Sequence, residues 1–191
     1  MNPEKFYWIN TPQKFTLKNN DLKIQTEPET DFWQRTHYGF SKTNAPAFLR
    51  KIDDDFTFSV KTEFQTQNRY DQCGVLLYTD DENWVKASVE HENEQFARLG
   101  SVVTNLGYSD WATTDIPFPV NEMSYRLSLK GKDVLIEFAE KDTEFKQMRI
   151  LHLHKPVRDA KIGIYACSPL KSSFEAVFTE FNLGSCKWFG H

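Results

Sequence analysis

Residues 82–92 read ENWVKASVEHE, and the alternation within them decides the fold. Val85, Ala87 and Val89 fall on one side of an extended chain, while Trp84, Lys86, Ser88 and Glu90 fall on the other. A period of two is that of a β-strand, whose successive side chains point to opposite faces of a sheet. The apolar set therefore belongs to a core. The other set carries an aromatic, a cation, a hydroxyl and a carboxylate in one line, and Trp is an unusual choice for a face that meets only water. The alternative is an ordinary solvated face on which Lys86 and Glu90 pair weakly across a strand.

Working outward, CGVLLY (residues 73–78) is a short apolar run suited to a strand buried on both faces. In FTFSVKTEF (56–64), Phe56, Phe58, Val60, Thr62 and Phe64 alternate with Thr57, Ser59, Lys61 and Glu63, the period of a half-buried strand. Downstream, HENEQ (91–95) is a polar turn, and FARLGSVVTN is a strand expected to end in a loop holding Gly107, Ser109 and Asp110. Further strands are read at 125–129, 134–138, 148–153, 161–167 and 174–182, and the Asn-Asn-Asp cluster inside 17–26 marks a hairpin turn. Residues 27–48 are dense in aromatics but lack a clean period, which suggests an ordered loop carrying functional groups. About a dozen short strands, with turn signals every ~8–12 residues and no long amphipathic helix, predict an all-β sandwich or barrel.

The totals agree. A chain of 191 residues suits a single domain, residues 1–191, with a core large enough to need no disulfides. Aromatic residues make up 15% of it, sixteen of them Phe, a composition that fits pleated sheets. The net charge of −4 and the scattered Lys and Arg exclude an electrostatic footprint for nucleic acid. Without a signal-peptide pattern or a run of ~20 apolar residues, the expected location is cytoplasmic and no membrane partner is expected. Cys73, Cys167 and Cys186 are far apart and form no CxxC pair, so they read as reduced, the first two as packing residues. His152 and His154 alternate in ILHLHKP, and acidic runs occur at 53–55 and 80–82. None has the spacing of a metal site, and no metal or cofactor is expected. The aromatic tail, Trp188 and Phe189, is expected to pack back on the sandwich.

DFW (31–33), YDQCGVLLY (70–78), ENWVKASVE (82–90), GSVVTNLGYSDW (100–111), YRLSL (125–129) and GIYACSP (163–169) occur in an order that resembles a concanavalin A-like family. That family comprises domains of unknown function, includes the regulation-of-enolase type proteins, and is akin to the sandwich domain appended to some β-xylosidases. The resemblance runs from residue 31 to about 181. It implies a jelly-roll of two antiparallel sheets with a concave face suited to carbohydrate.

The expected site is that concave face. Trp84 and Trp111 would stack on a sugar ring, Asp71, Glu90 and Asp110 would accept from its hydroxyls, and Lys86 and Arg126 would donate. Gln72 and Tyr108 complete the polar set, and Trp33, Arg35 and Tyr38 would close one end. The expected function is non-catalytic binding of a carbohydrate or sugar-like small molecule, with no catalytic residue assigned. One alternative is a protein-interaction module that regulates a metabolic enzyme. Another is a glycoside hydrolase, using Glu90, Glu92 and Glu94 at alternate positions or a pair drawn from Asp71, Glu90 and Asp110. The 90–94 segment is polar on both faces where a hairpin must turn, which weighs against the hydrolase.

Overall fold

The computed structural model describes residues 5–157 and 159–188, so Phe189 of the aromatic tail lies outside the described residues. Among them the chain forms sixteen strands and no α-helix. In order these are β1 (Tyr7–Ile9), β2 (Phe15–Lys18), β3 (Asp21–Gln25), β4 (Phe32–Gln34), β5 (Ser41–Thr43), β6 (Ala47–Lys51), β7 (Phe56–Phe64) and β8 (Gln72–Asp80). There follow β9 (Asn83–His91), β10 (Phe96–Asn105), β11 (Tyr108–Pro117), β12 (Glu122–Lys130), β13 (Asp133–Ala139), β14 (Lys146–His152), β15 (Lys161–Cys167) and β16 (Glu175–Ser185). No described helix is long and apolar enough to cross a membrane.

Two seven-stranded sheets form a sandwich, with strand orders β1-β6-β15-β8-β9-β10-β11 and β14-β13-β12-β7-β16-β3-β2. Every strand pairing within them is antiparallel. Turn chemistry sets the hairpins. Asn19 and Asn20 (φ 53° and 69°) join β2 to β3, and Leu106 with Gly107 (φ 53° and 78°) joins β10 to β11, both two-residue turns with positive φ at each central residue.

The core lies between the sheets. Val75, Leu77, Val85, Ala87 and Val89 from the first meet Phe58, Val60, Tyr125, Leu127 and Phe178 from the second. Each Val, Leu or Phe among them stabilises the fold by ~1.5–3 kcal/mol relative to exposure. The alternation read in 82–92 and 56–64 is thus the inward and outward facing of β9 and β7, and CGVLLY is buried on both faces.

Three readings are corrected. Residues 27–48 are not simply a loop: they hold the β4–β5 hairpin and begin β6, whose Ala47, Phe48 and Leu49 are buried on both faces and so leave no alternation to read. Residues 108–117 form strand β11, not a loop. As an edge strand rich in exposed polar groups it shows no period, and only its ladder with β10 fixes it. The outer face of the first sheet is not open throughout, because Phe32 and Trp33 of the β4–β5 hairpin pack over Leu76, Trp84, Val102, Tyr165 and Cys167 in a second apolar cluster.

Candidate ligand-binding site

The registers of β8, β9 and β10 arrange the outward side chains of the first sheet in transverse rows. Gln72, Glu90 and Arg98 form one row, Gly74, Ser88 and Gly100 the next, and Leu76, Lys86 and Val102, with Trp111 of β11, a third. The middle row is nearly without side chains. At Gly100 a Cβ would stand 2.9 Å from the Ala112 carbonyl oxygen and 3.1 Å from Trp111 Nε1, so glycine is what lets the indole lie close to the sheet. With the hairpin rising beside this low row, a cavity of about 460 Å³ forms. Its floor includes Gln72, Lys86, Ser88 and Glu90, and its walls come from the hairpin (Trp33, Tyr38, Phe40), from Trp111 and Arg98, and from Pro169 and Leu170 after β15.

The hairpin is anchored by polar contacts as well as by its two buried aromatics. Gln34 N donates to Ser109 Oγ at 2.9 Å, Gln34 Nε2 to the Asp81 carbonyl at 2.9 Å, and Arg35 to the Gly107 carbonyl at 3.0 Å and Glu82 Oε1 at 2.9 Å. Trp33 Nε1 donates to the Thr36 carbonyl at 3.0 Å, which fixes the indole, and its ring meets Trp111 edge-to-face at 6.4 Å and Tyr38 at 5.4 Å. Such pairings hold aromatic planes at defined angles.

A polar network lies beneath. Gln72 Oε1 accepts from Tyr165 Oη at 2.8 Å, Lys86 Nζ at 3.0 Å and Ser88 Oγ at 3.4 Å, while Gln72 Nε2 donates to Glu90 Oε2 at 2.7 Å. Lys86 Nζ also donates to Asp31 Oδ1 at 3.2 Å, and that oxygen takes the Phe32 amide at 2.7 Å. Burial is the largest influence on Lys86 and opposes its charge, but Asp31, Cys167 and Glu90 acting together outweigh it and the ammonium titrates above its ordinary range. Glu90 goes the other way: burial pushes its carboxyl up to about 7, Lys86 pulls it down and Asp31 pushes it further up. Burial likewise raises the Cys73 and Cys167 thiols, so neither offers a thiolate. Among the described residues no group of three or more His, Cys, Asp or Glu side chains could hold a metal ion. Chemically, the cavity offers aromatic faces above a floor that both donates and accepts hydrogen bonds.

Of the residues expected in the site, Gln72, Lys86, Glu90, Trp111, Trp33 and Tyr38 line this cavity. The other six do not. Trp84 is on the expected face but 1% exposed, sealed beneath Phe32 at 5.7 Å, with Nε1 donating to the Asp81 carbonyl. Asp71 is fully buried and structural, with Oδ2 capping the Gln67 and Asn68 amides and Oδ1 accepting from Ser172. Tyr108 is exposed outside the cavity, under the Arg35 guanidinium, and Arg35 itself serves the hairpin anchor. Asp110 pairs with Arg149 of β14 at 2.6 Å, joining the sheets at their edge. Arg126 belongs to the second sheet, held in a bidentate pair by Glu137, on the far side of the sandwich. A strand's alternation gives a residue's face but not which sheet it joins or what covers it.

The acidic sets considered for hydrolysis do not converge either, since Glu92 is taken by Arg69 and Arg98, and only Glu90 of those carboxylates reaches the cavity. Sequence reading missed Asp31, Phe40 and Arg98 as cavity residues. Arg98 carried a signal, for it alternates with Ala97 and Leu99 and so faces outward beside Glu90. Asp31 carried none beyond its place in DFW, because the hairpin fold brings it over the sheet.

Residues 8–186 match the family described as "Protein of unknown function (DUF1349)". The chain belongs to the DUF1349 family. A relative from Saccharomyces cerevisiae named "Regulation of enolase protein 1" is 27% identical over 177 residues, covering 92% of this chain and 87% of the relative. Among solved structures, a functionally unknown protein from Saccharomyces cerevisiae superposes with a TM-score of 0.89 at 25% identity, over 97% of this chain and 98% of that one. A xylan β-1,4-xylosidase from Bacillus halodurans C-125 superposes with a TM-score of 0.70 at 15% identity, over 88% of this chain and 33% of the enzyme's chain. The DUF1349 sandwich therefore shares its fold with about one third of a glycoside hydrolase chain.

Proposed function

We propose that this protein is a single-domain, non-catalytic binding protein that takes a carbohydrate or sugar-like small molecule in the cavity beside the β4–β5 hairpin. The observation that carries the reading is the pairing of the Trp33 and Trp111 indoles with the Lys86–Gln72–Glu90 network in one cavity. Aromatic faces suit the apolar faces of a sugar ring, and a floor of mixed donors and acceptors suits its hydroxyls. The fold shared with part of a xylosidase chain is consistent with this, as analogy only. The free cysteines suit a reducing compartment and so a cytoplasmic location.

The test is a thermal-shift screen against neutral mono- and oligosaccharides, sugar phosphates and glycolytic intermediates, followed by calorimetry. A ligand at ~100 times its Kd adds about 2.7 kcal/mol. Trp111→Ala is expected to weaken binding of any hit at least tenfold, and an unchanged affinity would remove the cavity from consideration.

A second reading, a protein-interaction module acting on a metabolic enzyme, is supported by the name of the yeast relative and by the exposed Tyr38, Phe40 and Leu170 around the cavity. Its signature would be one stoichiometric partner in a pull-down, lost on Tyr38→Asp.

A further inference from the structure

Glu90 is the floor residue whose hydrogen bonding is incomplete. Its Oε2 accepts from Gln72, whereas Oε1 is buried and meets no donor among the described residues. The charged groups around it are committed elsewhere. On its own strand, Lys86 Nζ bonds Asp31 and Gln72. On β10, Arg98 Nε bonds Glu92, which also holds Arg69 from the segment before β8. Asp31 and Glu92 present negative charge to Glu90, and neither the Tyr70 hydroxyl nor the Cys167 thiol bonds it. A buried polar atom left unpaired is costly and calls for a reason.

Glu90 lines the cavity, and the terminal torsion of a Glu side chain is broad, so a small rotation presents Oε1 to a molecule seated on the floor. Resting on the carbohydrate reading of this cavity, we propose that a ligand hydroxyl donates to Glu90 Oε1, selects the ionised carboxylate, and thereby couples binding to release of a proton. The O–H bond of the Glu90 carboxylic acid breaks, the electron pair stays on the carboxylate, and the proton passes to solvent. A hydroxyl bonds a carboxylate more strongly than a neutral acid, so the ligand lowers the pKa of the carboxyl it meets, and by reciprocity affinity climbs with pH. Because burial holds the free carboxyl at about 7, the linkage falls in the neutral range.

The test is calorimetry with xylobiose, cellobiose and lactose between pH 5.5 and 8.5, in buffers of differing ionisation heat. Affinity should rise about tenfold from pH 6 to pH 8 and then level off, with close to one proton released at pH 6. Glu90→Gln, checked for folding by circular dichroism, should show a flat pH profile and no buffer dependence. Affinity that is independent of pH, or that falls as pH rises, overturns the inference and leaves the sugar reading intact. No binding by any of the three at any pH rejects the neutral-sugar reading, and the inference with it.

Discussion

Glu90 is neutral in the fold over a range where an exposed carboxylate is charged, and this has a stability consequence. Its folded pKa of about 7 lies above the ordinary 4.5, so the folded state holds a proton that the unfolded chain has lost. The sign follows: stability from this group is fully present below about 4.5, is lost as pH rises toward about 7, and stays lost above it. At ~1.4 kcal/mol per unit, the loss is on the order of 3 kcal/mol. Glu90→Gln should therefore raise the thermal midpoint at pH 8 and leave it nearly unchanged at pH 4, measured by calorimetric melting at both values. A residue that destabilises its own fold while lining a cavity is what a binding site, more than a core, retains. Trp84 is the contrasting case. Its expected exposure would make Trp84→Ala neutral for stability, but its burial makes the substitution cost ~3–5 kcal/mol by urea unfolding.

At the scale of the element, the β4–β5 hairpin decides that there is a cavity at all. Two strands of three residues each cannot hold together alone in water. They persist because Phe32 and Trp33 bury against the first sheet and because Gln34 and Arg35 bond its loops and edge. Arg35→Ala should therefore leave the core melting cooperatively while increasing hydrogen exchange across residues 32–43, because the guanidinium is half-exposed and its bonds serve the hairpin alone. Uniform loss of protection throughout the molecule would show that the hairpin is integral to the core. The sheet beneath is less forgiving. A Cβ at Gly74 would lie 1.9 Å from the Ala87 carbonyl oxygen, so Gly74→Ala must part β8 from β9 and should cost about 3 kcal/mol or more by urea unfolding.

At the scale of the whole molecule, the two outer faces are chemically separate. Arg126 and Glu137 form their pair on the second sheet, with Phe145 4.2 Å beneath the guanidinium. Arg126→Ala should change stability by about 1 kcal/mol and leave the affinity of any cavity ligand unaltered, since distant sites with no shared partner add independently. A loss of binding in that variant would place the ligand on the opposite face. The fold was legible in sequence because each sheet buries one face, which writes a period of two into β7, β9 and β12. The site was half legible for the same reason: Gln72, Lys86, Glu90 and Trp111 are outward positions on neighbouring strands of one sheet. Asp71 and Arg126 misled because residue type and face are local, while sheet membership and capping are not.

The strand periods and turn spacing alone narrow the chain to an all-β sandwich or barrel and turn the polar side of 82–92 away from the core, since burial of apolar area acts residue by residue along each strand. Only the tertiary structure decided which of those outward groups meet. The registers across β8, β9, β10 and β11 brought Glu90, Gln72, Lys86 and Trp111 together, and a hairpin without periodic pattern sealed Trp84 while leaving Glu90 beside a cavity. Those are contacts between residues distant in the chain, set by the packing of whole elements, and no local pattern encodes them.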